Sequence, residues 1–293
     1  MLRLALVVTT SAIALAAIAG AAAPVAAQEV LPSQCLAIAN NLHRDPGLPP
    51  VHFASFEQAS VLEAQASKPQ YTVTISYQGH STYLIESPGG ATIATDYAGW
   101  LIDPVVPLGV TMNQAHSSHW TSTIRPGTEH VMRGWSEDGT PAKHSLMVGD
   151  ILVRNVATDL LRYQPQPNGN SIFIFEVAGL CIGHLGHLHH ELSDDQYAAI
   201  GRLDVVMIPV DGGLTLTHLS AKELLSRLRS SVVLPMHVRA YGALPRFLSY
   251  LGDEFAVERL PRNRLELSLA NLPKRPTVML LPGVGSGSGL IDN

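Results

Sequence analysis

Residues 180–191 read LCIGHLGHLHHE, and on them turns how the rest of the chain is understood. The apolar run through Ile182 has the character of a buried strand, and Gly183 and Gly186 mark the loop that ends it. Strand ends of this kind are where α/β proteins commonly place their chemistry. Four histidines, His184, His187, His189 and His190, crowd into this loop, out of thirteen in the chain. Neutral imidazole is a favoured transition-metal ligand, so the crowding points to a metal; ordinary surface histidines in a polar loop, or one histidine hydrogen-bonded in the core, are the alternative.

Working outward, residues 1–27 carry one early basic residue, Arg3, a long apolar run, and small residues before Gln28. That pattern is expected of a cleaved secretory signal, with an uncleaved membrane anchor as the alternative. The mature protein is then expected in the periplasm or outside the cell, with no stable membrane insertion once the signal is removed. Removing Arg3 takes the net charge from −5 to −6, which argues against a nucleic-acid partner, since such a surface needs a basic face. A charged fraction of 15% falls short of the usual quarter or so and fits a large interior. Export would allow Cys35 and Cys181 to pair, but Cys181 sits in an apolar strand and packing alone would also explain it.

Residues 28–68 read as an arm, helical at most over 34–42, and residues 285–293 as a loose tail. One domain is expected between them, over residues 69–284. It opens with three strands, at 71–77, 82–86 and 91–95, the last two joined by Ser87-Pro-Gly-Gly90. A short buried strand at 109–112 follows, then an antiparallel stretch from 130 to 157, a turn at Asn168-Gly-Asn170 and a strand at 171–177. Beyond residue 191 the pattern alternates: a helix with Ser193 as N-cap, a strand at 203–210, a helix at 220–228, a strand at 231–235, a helix near 247–251, and strands near 255 and 277–281. Asp211 and His237 follow two of these strands directly, and His116 and His119 are close enough along the chain to address one atom. No Walker or dinucleotide glycine motif is present, and the G-x-S-x-G letters at 285–289 lie in the tail without a strand-to-helix turn.

Taken in order over residues 71–241, these pieces resemble the metallo-β-lactamase superfamily, and within it the branch of ascorbate-lactone hydrolases. The resemblance is carried by Gly79-His-Ser-Thr82, Asp96, the His116 and His119 loop, Asn168-Gly-Asn-Ser-Ile-Phe173, His184-Leu-Gly186, the 204–211 strand and Pro235-Met-His237. It implies an α/β fold, an αββα sandwich of two packed sheets, with one or two metal ions at one edge. The family's H-x-H-x-D-H loop falls on residues 114–119, where Gln114 and Ser118 replace a His and the Asp. A separate third His would fall near Thr158 and Asp159, where none exists, and the bridging Asp falls on His187.

The resemblance therefore implies a metal set of His116, His119, His187 and His237, with His184 as a further ligand candidate. Asp96 and His80 are expected beneath the metal loop as support. Asp159, Asp211 or His190 is expected to act as proton acceptor or to orient a ligand. One transition metal is expected, zinc first, although copper, iron and nickel also accept imidazoles. An ion held by neutral ligands keeps its full charge and supplies hydroxide from bound water. The expected activity is hydrolysis of a small-molecule ester, lactone, amide or phosphoester. The alternative is a catalytically inactive periplasmic metal- or ligand-binding protein on the same fold, favoured by the missing carboxylate ligands.

Overall fold

The computed structural model describes residues 32–36, 71–161 and 164–285. The expected signal, nearly all of the arm and the end of the tail lie outside the described residues; Gln34, Cys35 and Leu36 are helical. Two β-sheets pack face to face. The first has six strands in the order β13-β1-β2-β3-β4-β5, the second eight in the order β12-β14-β11-β10-β9-β8-β7-β6.

The first sheet is built from β1 (Val73–Gly79), β2 (Thr82–Glu86), β3 (Thr92–Ala94), β4 (Gly109–Met112), β5 (His130–Arg133) and β13 (Leu265–Leu267). The second holds β6 (Ser145–Val148), β7 (Ile151–Leu161), β8 (Pro165–Val177), β9 (Leu180–His184), β10 (Val205–Pro209), β11 (Val232–Met236), β12 (Ala256–Arg259) and β14 (Thr277–Leu280). Strands β9, β10 and β11 run parallel, which requires crossovers through α1 (Asp194–Ile200) and α2 (His218–Leu228). A third helix, α3, spans Ala243–Leu251.

Alternation along the strands explains why the central ones are apolar throughout. On β10, Val205 and Met207 enter the layer between the sheets, together with Val73, Ile75, Ile85, Phe173, Phe175 and Leu234. Val206 and Ile208 face the opposite way, toward Leu224 and Leu225 of α2 and Phe247 of α3. A strand covered on both faces can carry no solvated side, hence the unbroken run. Ser193 caps α1 with Gln196 completing a capping box, as its letters lead one to expect.

The strands depart from the sequence reading in three places. Strand β5 pairs with β4 in parallel rather than opening an antiparallel stretch. Asn168-Gly-Asn170 lies inside β8, where the β7–β8 register shifts between Thr158 and Leu160 and Asn168 takes φ 55°. Such a bulge uses the same residue types as a turn, which is why the letters mislead. Strand β13, three residues long, is too short to show a period. Among the described residues, all three helices pack on the eight-stranded sheet, and the outer face of the six-stranded sheet is closed by loop residues Tyr97, Leu101 and Trp120.

Cys35 and Cys181 form a disulfide across 146 residues of sequence. Both are buried beside Ile200 and Leu203. Glu176 secures the same segment, accepting from Ser33 Oγ, Gln34 N and Arg154 Nε, the last at 2.7 Å. Removing a link that closes so long a loop, by Cys35→Ser with Cys181→Ser, is expected to cost about 2–5 kcal/mol, read as a lower urea midpoint at unchanged slope.

Candidate metal centre

The carboxyl ends of β9, β10 and β11 and the turn between β1 and β2 come together at one edge of the sandwich. His80 occupies that turn, His119 the loop after β4, His187 the loop after β9, and His237 the first position after β11. One ring nitrogen from each of His80, His119 and His237 lies within 4.8 Å of the others, the spacing of a group that can share one ion. His187 stands against the pair His119 and His237, edge-on to both, with ring centroids 5.5 and 4.9 Å away.

Backbone geometry fixes the donors. His80 and His237 both adopt left-handed conformations, φ 48° and 55°, uncommon for residues with a side chain and frequent at functional sites. The His237 amide donates to the His80 carbonyl at 2.9 Å, tying the eight-stranded sheet to the turn of the six-stranded one. Gly186 (φ 61°) lets the loop before His187 pass over Asn113 and Asn170; a Cβ there would lie 2.4 Å from Asn170 Oδ1. That same oxygen accepts from the His187 amide at 2.9 Å.

Two carboxylates face the rings. Asp96, fully buried and itself left-handed, takes His119 Nδ1 at 2.5 Å and the Asn113 amide at 3.2 Å. Asp211 Oδ2 lies 3.4 Å from His237 Nδ1, an ion-pair distance rather than a well-aligned hydrogen bond. With Nδ1 spent on Asp96, the His119 ring has Nε2 left for a ligand, the arrangement that orients metal-binding histidines. Burial raises the Asp96 carboxyl to about 7 against the smaller lowering effects of His184 and the Asn113 amide. Burial would also raise Asp211, but pairing with His237 and hydrogen bonds from Thr215 and Leu214 outweigh it and hold that carboxyl well below its ordinary range.

These side chains suit a cation. His80 Nε2, His187 Nδ1 and His237 Nδ1 are buried without a hydrogen-bond partner, an arrangement that carries a desolvation cost unless a ligand is met there. Burial, and then the neighbouring imidazoles, lower His80 to about 2 and His187 to about 3. Both rings are therefore neutral near pH 7, the form that offers a lone pair to a metal.

The placement differs from the set inferred by resemblance. His119, His187 and His237 come together, and His80, expected only as support, joins them; nothing but its place in a glycine-preceded turn between two strands could have signalled this. His116 is exposed, its Nδ1 2.7 Å from Ser118 Oγ and its ring centroid 6.0 Å from that of His119, and it lies outside the three-histidine group. His184 is a correction: its Nδ1 accepts from the Gly186 amide and meets Asn113, and its Nε2 meets the Ser81 carbonyl at 2.8 Å. Both nitrogens are thus used in holding the loops, which leaves none for an ion. Asp159 and His190 also lie apart. His190 Nε2 accepts from the Asp159 amide and its Nδ1 meets the Glu191 carbonyl, while the Asp159 carboxylate accepts from the Asn168 amide at the bulge. Of the three proton-handling candidates, only Asp211 touches the histidine group.

Residues 74–237 match the family model described as a beta-lactamase superfamily domain, a span that includes all four clustered histidines. Among solved structures, a protein of Thermotoga maritima classed as a Zn-dependent hydrolase of the metallo-beta-lactamase superfamily is 26% identical, with 71% of this chain and 98% of that one covered and a TM-score of 0.53. A protein of Parabacteroides distasonis classed as a metal-dependent hydrolase is 14% identical, covers 62% of this chain and 89% of its own, and gives a TM-score of 0.48. A metallo hydrolase of Ignicoccus hospitalis is 18% identical over 61% and 90%, with a TM-score of 0.44. Comparison with curated proteins gives no match.

The buried imidazoles make the metal-free protein acid-sensitive. His80 and His187 bind protons near pH 6.5 when unfolded and only near 2 and 3 when folded, so their contribution is present above pH 6.5 and lost as pH falls toward 3. Asp96, raised to about 7, acts in the opposite sense, favouring the fold below pH 4 and losing that as pH rises through 7, but it is one group against two. The urea midpoint of metal-free protein is expected to fall from pH 7 to pH 4, and His80→Gln with His187→Gln to flatten that fall.

Proposed function

This chain belongs to the beta-lactamase superfamily, and from that premise we propose that it is an exported metal-dependent hydrolase acting on an ester, lactone, amide or phosphoester of a small molecule. The observation that carries the reading is the convergence of His80, His119 and His237 within 4.8 Å. These three would hold one transition metal, zinc first, with His187 beside them as a fourth neutral donor or a contact to substrate. When bound, such an ion supplies Lewis acidity toward a carbonyl or phosphoryl oxygen and toward water.

The chain's own residues supply orientation. Asp96 fixes which nitrogen of His119 faces the site, and Asp211 lies 3.4 Å from His237 Nδ1. Asp211, ionised and held by Leu214, Thr215 and His237, keeps a negative charge beside the histidines. A lactone substrate is suggested by the resemblance of Gly79-His-Ser-Thr82 and its companions to the ascorbate-lactone hydrolases. Export is supported by the composition of residues 1–27 and by the Cys35–Cys181 bond, which belongs in an oxidising compartment.

A second reading, a binding protein without turnover, draws on the same carboxylates. Ser118 stands where the family's loop has its Asp, and both acids near the histidines already face ring nitrogens. Metal analysis of purified mature protein, followed by chromogenic ester, lactone and phosphoester assays with and without chelator, separates the two. Turnover abolished by chelator and restored by zinc supports the hydrolase; stoichiometric metal without turnover supports the binding protein. His119→Ala and His237→Ala are each expected to lose the bound metal, whereas His116→Ala is expected to keep it. Metal content unchanged in both of the first two variants would remove the proposed centre.

A further inference from the structure

Beneath the histidine group lie two tyrosines that the reading so far does not use. Tyr77 and Tyr83 are cross-strand partners on β1 and β2, their ring centroids 5.2 Å apart, and both are buried, with 5% and 0% of their surface exposed. Each hydroxyl reaches one of the two segments that present a donor. Tyr77 Oη donates to the His80 carbonyl at 3.0 Å, and Tyr83 Oη donates to the Pro235 carbonyl at 2.8 Å. The His80 carbonyl thus accepts two hydrogen bonds, from Tyr77 and from the His237 amide. Pro235 is two residues ahead of His237 and offers no amide hydrogen, so its carbonyl is its backbone's sole polar handle.

We propose that Tyr77 and Tyr83 are positioning residues for the metal centre, holding the left-handed backbones of His80 and His237 in register so that their ring nitrogens meet. This rests on the reading of His80, His119 and His237 as the metal-holding group. Three observations converge on it. The left-handed conformations at His80 and His237 are disfavoured in isolation and persist only where the surroundings over-determine them. The two histidines belong to different sheets, so their separation depends on how the sheets are tied at this edge rather than on either ladder. The tyrosines do the tying from below: Tyr83 stands on the six-stranded sheet and grips β11 of the other, while Tyr77 secures the carbonyl that the His237 amide also uses. Tyr77 is itself fixed by Asn263, whose side chain bonds both its amide and its carbonyl, at 2.9 and 2.7 Å. Burial raises both phenols far above their ordinary range, so the hydroxyls remain donors.

The test uses full mature protein carrying Tyr77→Phe, Tyr83→Phe or both, with His119→Ala as the reference for a lost ligand. Zinc affinity is measured by competition with a chromogenic chelator, cobalt(II) absorption reports ligand geometry, and the melting temperature of metal-free protein reports the fold. Each tyrosine variant is expected to weaken zinc about tenfold and to alter the cobalt spectrum, more than a change in fold stability alone would do. Zinc affinity within about twofold of wild type and a superposable cobalt spectrum in Tyr77→Phe, while His119→Ala has lost zinc, overturns the inference and leaves the centre intact. Retained zinc in His119→Ala overturns the centre and the inference with it. Should the double variant fail to fold, Tyr77→Phe alone decides, because it leaves the Tyr83 anchor and the His237–His80 backbone bond in place.

Discussion

Four imidazoles, three of them buried, are held against one another at one edge of the sandwich, and the rest of that edge is arranged around them. Three of the four have a buried nitrogen without a hydrogen-bond partner, which is costly for a folded chain to maintain. Protonation would relieve the lone pair but not the crowding, since each ring's charge would sit beside the next. A shared cation relieves both, and so the cluster reads as a place for one.

The fold supplies the rigidity that such crowding needs. Parallel strands β9, β10 and β11, buried on both faces, end together, so the residues just past them are delivered to one line with little freedom. The hairpin of β1 and β2 belongs to the other sheet and meets this line through the backbone bond from His237 to His80, with buried tyrosines behind it. His184 and Asn113 have a related task. Their side chains join Ser81, Ser171 and Gly186, so three loops are cross-braced by neutral groups whose hydrogen bonds are made within the chain.

Gln114 and His187 gain a physical meaning in this setting. Gln114 is drawn into a bridge with Asn170, and Asn170 in turn holds His187, so Gln114 helps shape the loop. The group consists of neutral donors flanked by the carboxylates of Asp96 and Asp211. Neutral nitrogen donors favour a borderline ion such as zinc over hard ions that seek oxygen.

Much of this was written in the sequence. Period and length located β2 and β4 to the residue and gave the helix capped by Ser193, because burial on two faces and end-capping act over a few neighbouring residues. The ordered set of motifs was enough for the fold, and strand ends flagged Asp211 and His237. Sequence could not say which histidines meet. His184 is the best placed by its letters, yet its nitrogens serve two loops; His80, isolated in a turn more than a hundred residues from His184, enters the group. Which nitrogen is spent on a neighbour and which is left for a ligand depends on sheet-to-sheet packing and on left-handed backbones at His80 and His237. Both are set by contacts between segments far apart along the chain, so only the tertiary structure decided them.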